Sequence, residues 1–153
     1  MNILYTDYTL QDNALDIYVA GCNGNPHCTS CHNPESWDFN LGKPYDNNYF
    51  EYIKRTVQTF NNLINKIRIF GGEPLDQNHD ELIHMLFDLG GLNKEIWLFT
   101  RYEINEVPKE IKTLCNYIKT GRYLPELECD DNIQYGVKLA TSNQKIYKEG
   151  VDY

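Results

Sequence analysis

The chain has 153 residues, 41% hydrophobic and 24% charged, with a formal net charge of -8 at neutral pH. That length predicts one domain spanning residues 1–153 with a core of its own. The acidic balance argues against nucleic acid as the main partner, because phosphate recognition needs a basic footprint.

No apolar run reaches the length of a bilayer, which predicts no membrane partner. The opening Met1-Asn2-Ile3-Leu4-Tyr5-Thr6-Asp7 lacks the basic and apolar regions of a signal peptide. Five cysteines, three of them bunched, make a poor disulfide framework and fit a reducing, cytoplasmic setting.

In chain order, Leu15-Asp16-Ile17-Tyr18-Val19-Ala20 is β-branched and aromatic and predicts a strand delivering Cys22 at its end. A loop with Gly and Pro punctuation follows to about Tyr45. Tyr49, Ile53, Val57, Phe60 and Ile64 recur at helical spacing, and Asn48 with Glu51 predicts a capping box. Lys66–Phe70 predicts the next strand, ended by Gly71-Gly72. Asn78 with Glu81 opens a second helix carrying Leu82, Ile83, Leu86 and Phe87, and Gly90-Gly91 stops it.

Glu95-Ile96-Trp97-Leu98-Phe99-Thr100 is nearly continuous in apolar residues, as expected of a parallel strand covered on both faces. Pro108 suits the first turn of a short helix with Ile111 and Leu114. Tyr117–Lys119 predicts a short strand, and the alternating Ile133, Tyr135, Val137 and Leu139 a last one. Strand–helix alternation gives an α/β class with right-handed crossovers. A complete barrel needs about 250 residues. The expectation is therefore an incomplete (partial) βα barrel with about five or six parallel strands, its motifs at the strand C-terminal ends.

Two motifs carry chemistry. The first is Gly21-Cys22-Asn23-Gly24-Asn25-Pro26-His27-Cys28-Thr29-Ser30-Cys31. A structural zinc site is one reading, with a fourth ligand from His27, His32 or a distant cysteine. The other is an iron–sulfur cubane, which normally takes four thiolates; three leave one iron open to a substrate. Cys115 and Cys129 stand apart and read as buried core thiols. The second motif is Gly71-Gly72-Glu73-Pro74. Alone it is a turn with an exposed carboxylate. Beside the cysteines it becomes a ligand edge: glycines allow close backbone approach, and Glu73 can accept a hydrogen bond from an ammonium group. His79 and His84 read as helix-surface or partly buried residues, and Trp37 and Trp97 as packing.

With these motifs the chain resembles the radical S-adenosylmethionine superfamily, and within it the small activating enzymes of anaerobic ribonucleotide reductase. The stretches that carry the resemblance are Val19–Trp37, Phe70–Leu75, Glu95–Tyr102, Thr120–Tyr123 and Thr141-Ser142-Asn143-Gln144. The resemblance implies that Cys22, Cys28 and Cys31 each bind one iron of a 4Fe-4S cluster. The fourth iron would be chelated by S-adenosyl-L-methionine, whose ammonium would be held by Gly71, Gly72, Glu73 and Pro74. It further implies reductive cleavage of that cofactor and a glycyl radical on the partner, an anaerobic ribonucleoside-triphosphate reductase, with electrons from a flavodoxin-like or other low-potential donor. The alternatives are a radical enzyme acting on another small molecule or peptide, and a non-catalytic zinc-binding module. The chain departs from the family pattern in having five residues, not three, between Cys22 and Cys28, and in Arg101 and Ala140 at common glycine positions.

Overall fold

The computed structural model describes residues 1–31 and 33–153. The chain opens with β1 (Asn2–Thr9), β2 (Ala14–Val19) and β3 (Lys43–Pro44), followed by α1 (Asn47–Thr59) and β4 (Lys66–Gly71). Next come α2 (His79–Gly90), β5 (Glu95–Phe99), α3 (Lys109–Lys112) and β6 (Tyr117–Thr120). The last three strands are β7 (Ile133–Gln134), β8 (Val137–Lys138) and β9 (Lys145–Lys148).

Seven strands form one sheet in the order β3-β1-β2-β4-β5-β6-β9. The central β2, β4, β5 and β6 are parallel neighbours, whereas β1, β3 and β9 join antiparallel at the edges. Among the described residues four strands therefore run parallel, fewer than the five or six expected. The alternating run from Ile133 does not enter this sheet. Tyr135 and Gly136 both take positive φ, at 49° and 78°, and turn the run back on itself as a two-stranded β7–β8 hairpin.

Side chains alternate across each strand. Ile17, Ile69, Leu98 and Ile118 join one apolar cluster with Ile53 and Val57 of α1, Leu82, Met85, Leu86 and Leu89 of α2, and Ile111 of α3. Asp16, Tyr18, Arg68, Phe70, Trp97, Phe99, Tyr117 and Lys119 alternate onto the other face. There the rings of Tyr18, Phe70 and Phe99 meet in sequence at centroid distances of 4.6 and 5.2 Å. Arg68 binds both oxygens of Asp16 at 2.7 and 2.8 Å and reaches Asp12 at 2.7 Å, tying β4 to β2 and to the turn before it.

The N-terminus of α1 is capped by Asp46, whose carboxylate accepts from the Tyr49 amide at 2.9 Å, and not by Asn48, which lies inside the helix. Asp46→Ala is expected to lower stability by about 1 kcal/mol. Asn48→Ala is expected to change it little, and the two urea midpoints check the contrast. For α2 the expected cap is found: Asn78 accepts from the Glu81 amide at 3.1 Å.

Because β2, β4, β5 and β6 are parallel, the loops that leave them emerge at one sheet edge. The segments starting at Gly21, Gly72, Thr100 and Gly121 are thus brought together there.

Candidate metal centre

These four loops surround a cavity of about 280 Å³. Cys22, Cys28 and Cys31 all line it, so the chain brings its three clustered cysteines to one place. All three are free thiols, as are Cys115, which is buried in the core, and Cys129, which is half-buried. Cys31 donates its amide to the Cys28 carbonyl at 3.2 Å, closing a turn between them. His27 stacks on Trp37 with centroids 3.9 Å apart, and its Nε2 lies 3.0 Å from the Cys22 carbonyl oxygen. Trp37 therefore packs, as expected, but also lines the cavity. His32 lies outside the described residues. His79 and His84 sit on the exposed surface of α2, and Trp97 is buried against Tyr117.

The glycines of Gly71-Gly72-Glu73-Pro74 serve a tighter approach than expected. A Cβ on Gly72 would lie 2.2 Å from the Gly21 carbonyl oxygen, and one on Gly71 would lie 2.6 Å from the Val19 amide nitrogen. Both backbones are laced together: Gly72 donates to Val19 and Glu73 to Gly21, each at 2.8 Å. Gln77 donates its side-chain amide to both the Gly21 and Glu73 carbonyls, at 3.2 and 3.1 Å. The missing side chains let this loop dock on the root of the cysteine loop, while Gly71 and Gly72 still line the cavity.

Glu73 is only 2% exposed, not the open carboxylate a turn would present. One oxygen accepts from the Thr100 hydroxyl at 2.6 Å and the Leu75 amide at 3.0 Å; the other accepts from the Arg101 amide at 2.8 Å. Burial pushes its pKa up against these donors. The carboxylate is thus committed to its own chain, joining the ends of β4 and β5. Pro74 is buried at the start of a single 3₁₀ turn and does not line the cavity.

Sequence reasoning missed Asp76. Its carboxylate accepts from the Asn23 amide at 2.6 Å, the Tyr102 hydroxyl at 2.6 Å and the Arg101 guanidinium at 3.3 Å. The cysteine loop, the Gly-Gly-Glu loop and the β5 loop are thereby locked to one another. Nothing in its spacing marks Asp76; Arg101 stood out only for its place at a common glycine position, and Tyr102 only as the end of the stretch Glu95–Tyr102.

A family profile described as a 4Fe-4S single cluster domain matches residues 14–146. The chain belongs to that family. It is also 25% identical over 138 residues to the anaerobic ribonucleoside-triphosphate reductase-activating protein of Haemophilus influenzae, across 86% of this chain and 85% of that protein.

The lining fits the cluster of this 4Fe-4S family member. Thiolates are the usual ligands of iron–sulfur clusters, and the cavity offers three. Among the described residues no three His, Cys, Asp or Glu side chains crowd closely enough to hold a single metal ion. In a cubane each thiolate binds a different iron, so ligands spread around one cavity suit it. Burial raises the pKa of Cys22, and cluster binding would have to displace its proton.

Lys119 enters the same cavity from β6, on the face opposite the helices. Its Nζ donates to the Gly121 carbonyl at 2.8 Å. Burial lowers its pKa from 10.5 to about 8, with Glu73, Cys28 and Glu103 acting in the opposite direction. Between those two values the cluster-free folded chain binds fewer protons than the unfolded chain, so stability rises with pH through the window. Below it, the full cost of the half-buried cation is present. Lys119→Met is expected to remove that rise and to stabilise the cluster-free protein below about pH 8. Urea midpoints below and within the window check it.

Proposed function

We propose that this protein is a radical S-adenosylmethionine activating enzyme, a single domain built as a partial βα barrel, that installs a glycyl radical on an anaerobic ribonucleoside-triphosphate reductase. The observation that carries the reading is the shared cavity. Three cysteines of a 4Fe-4S family member line it together with the Gly71-Gly72 edge. The reading of the target rests on the relative of that name, which aligns over most of both chains.

Cys22, Cys28 and Cys31 would hold the cluster, and S-adenosyl-L-methionine would lie along Gly71 and Gly72. When bound, the pair supplies a one-electron reductive cleavage of the sulfonium cofactor, whose product takes hydrogen from a glycine of the partner.

The chain's own residues do the rest. Phe70 and Phe99 give the cavity an apolar wall that limits water beside the reacting groups. Glu73, Asp76 and Arg101 hold the loops in register before a ligand arrives. With its carboxylate committed, Glu73 would meet an ammonium group through backbone carbonyls of its loop. Electrons would come from a flavodoxin-like or other low-potential donor, in a cytoplasmic setting. Among the described residues no helix is long and apolar enough to cross a membrane.

The test is anaerobic reconstitution with iron and sulfide, then dithionite and S-adenosylmethionine. 5′-Deoxyadenosine is the expected product, and a glycyl-radical doublet is expected once the partner reductase is added. Product without the doublet on the cognate reductase would favour another small-molecule or peptide substrate. A colourless protein holding one zinc would overturn the enzyme reading.

A further inference from the structure

Two cations that line the cavity, Lys119 and Arg122, have backbone carbonyls and not carboxylates as their hydrogen-bond partners among the described residues. Arg101 faces Asp76 at 3.3 Å and Glu73 at 3.9 Å. Arg68 faces Asp12 and Asp16. Lys119 has no such carboxylate: among the described residues its hydrogen-bond partner is the neutral Gly121 carbonyl. Glu73, which with Glu103 acts on it electrostatically, is already engaged by three donors. Lys119 is half-buried in the cavity wall, and an ammonium partly stripped of water without a counter-ion is disfavoured. A lysine in that position is therefore expected to answer a negative charge brought by something else.

The cavity that Lys119 lines is the one lined by Cys22, Cys28 and Cys31. Three thiolates on a dipositive cubane leave one net negative charge, and one-electron reduction adds another. Net charge near a cluster is among the factors that set its potential. We propose that Lys119 is the fixed cation that balances the cysteine-held cluster and eases its reduction. The step it assists is a bare electron transfer: the oxidised cluster gains one electron from a low-potential donor, and no bond or proton changes place. Arg122 also lines the cavity, but its guanidinium is exposed and reaches the Pro26 carbonyl at 2.7 Å, so solvent screens it more strongly. The inference rests on the cysteine ligand set and not on the identity of the organic cofactor or protein target.

The experiment is a mediated redox titration of the full chain, reconstituted anaerobically without S-adenosylmethionine and with dithionite as reductant. Lys119→Met is expected to move the midpoint to a more negative potential, Lys119→Arg to stay near wild type, and Arg122→Met to give a smaller shift. An unchanged midpoint in Lys119→Met overturns the inference, as does an equal fall in Lys119→Arg, which would mark a packing effect. Iron content is measured first. Loss of the cluster from Lys119→Met and Lys119→Gln but not from Lys119→Arg supports the charge role, whereas loss from all three overturns it. A wild-type chain that takes up no iron defeats the cluster assignment itself, a separate outcome.

Discussion

Cys28→Ala is expected to leave the anaerobically reconstituted protein colourless and to abolish formation of 5′-deoxyadenosine. Cys28 stands between the other two proposed ligands in sequence and closes a turn with Cys31 through its carbonyl. Removing its sulfur leaves two thiolates in the cavity, too few to anchor a cubane that, in the proposed function, would already leave one iron without a protein ligand. Under the proposed function the loss is expected to be complete, because the cluster and not a protein side chain would supply the reducing electron. Cys115 and Cys129 are the internal controls, since neither lines the cavity. Cys129→Ala is expected to keep full colour. Cys115→Ala keeps colour too but, being 1% exposed in the core, loses about 1 kcal/mol of stability. Iron and sulfide assays with the visible absorbance band check all three. Colour retained in Cys28→Ala, or bleaching in Cys129→Ala, would place the ligand set elsewhere.

What could be read from the sequence follows from where each signal resides. The central strands β2, β4, β5 and β6 were legible because burial demands unbroken β-branched and aromatic runs such as Lys66–Phe70 and Glu95–Phe99. The strands toward the two ends of the sheet, β1, which β3 covers only at Asn2 and Ile3, and β9, were not. Asn2–Thr9 and Lys145–Lys148 mix polar and apolar residues, because an edge meets solvent along one side. The cap of α1 was misplaced by two residues: Asp46 and Asn48 are both good cap residues, and only the backbone conformation separates them. That Cys22, Cys28 and Cys31 share one cavity was legible from their bunching in sequence. Asp76, Thr100 and Lys119 were not, because their importance comes from residues far away in the chain that the parallel sheet brings alongside. A half-buried lysine in a strand of alternating faces looks in sequence like any solvent-facing one.

Glu73→Ala separates two roles that the Gly-Gly-Glu sequence leaves superimposed. If the carboxylate bound a ligand directly, its removal would weaken binding and spare the fold. The geometry predicts the reverse order. At 2% exposure, Glu73 accepts from Thr100, Leu75 and Arg101, and its loss leaves three inward-facing donors without an acceptor. At 1–3 kcal/mol for each unsatisfied group, partly relieved by entering water, Glu73→Ala is expected to cost about 4 kcal/mol in cluster-free protein. Glu73→Gln keeps the shape but puts an NH₂ group against a backbone N–H whichever way the amide turns. Its expected cost is about 2 kcal/mol. Burial already pushes the pKa of the acid up, so losing the charge matters less than losing an acceptor. Urea denaturation gives the stabilities, and calorimetric titration of S-adenosylmethionine into reconstituted Glu73→Gln gives the binding. Near-normal affinity in a weakened fold is the expected result, because the carboxylate orders the loop whose backbone would, in the proposed function, meet the ligand. Abolished binding with unchanged stability would return the carboxylate to the ligand.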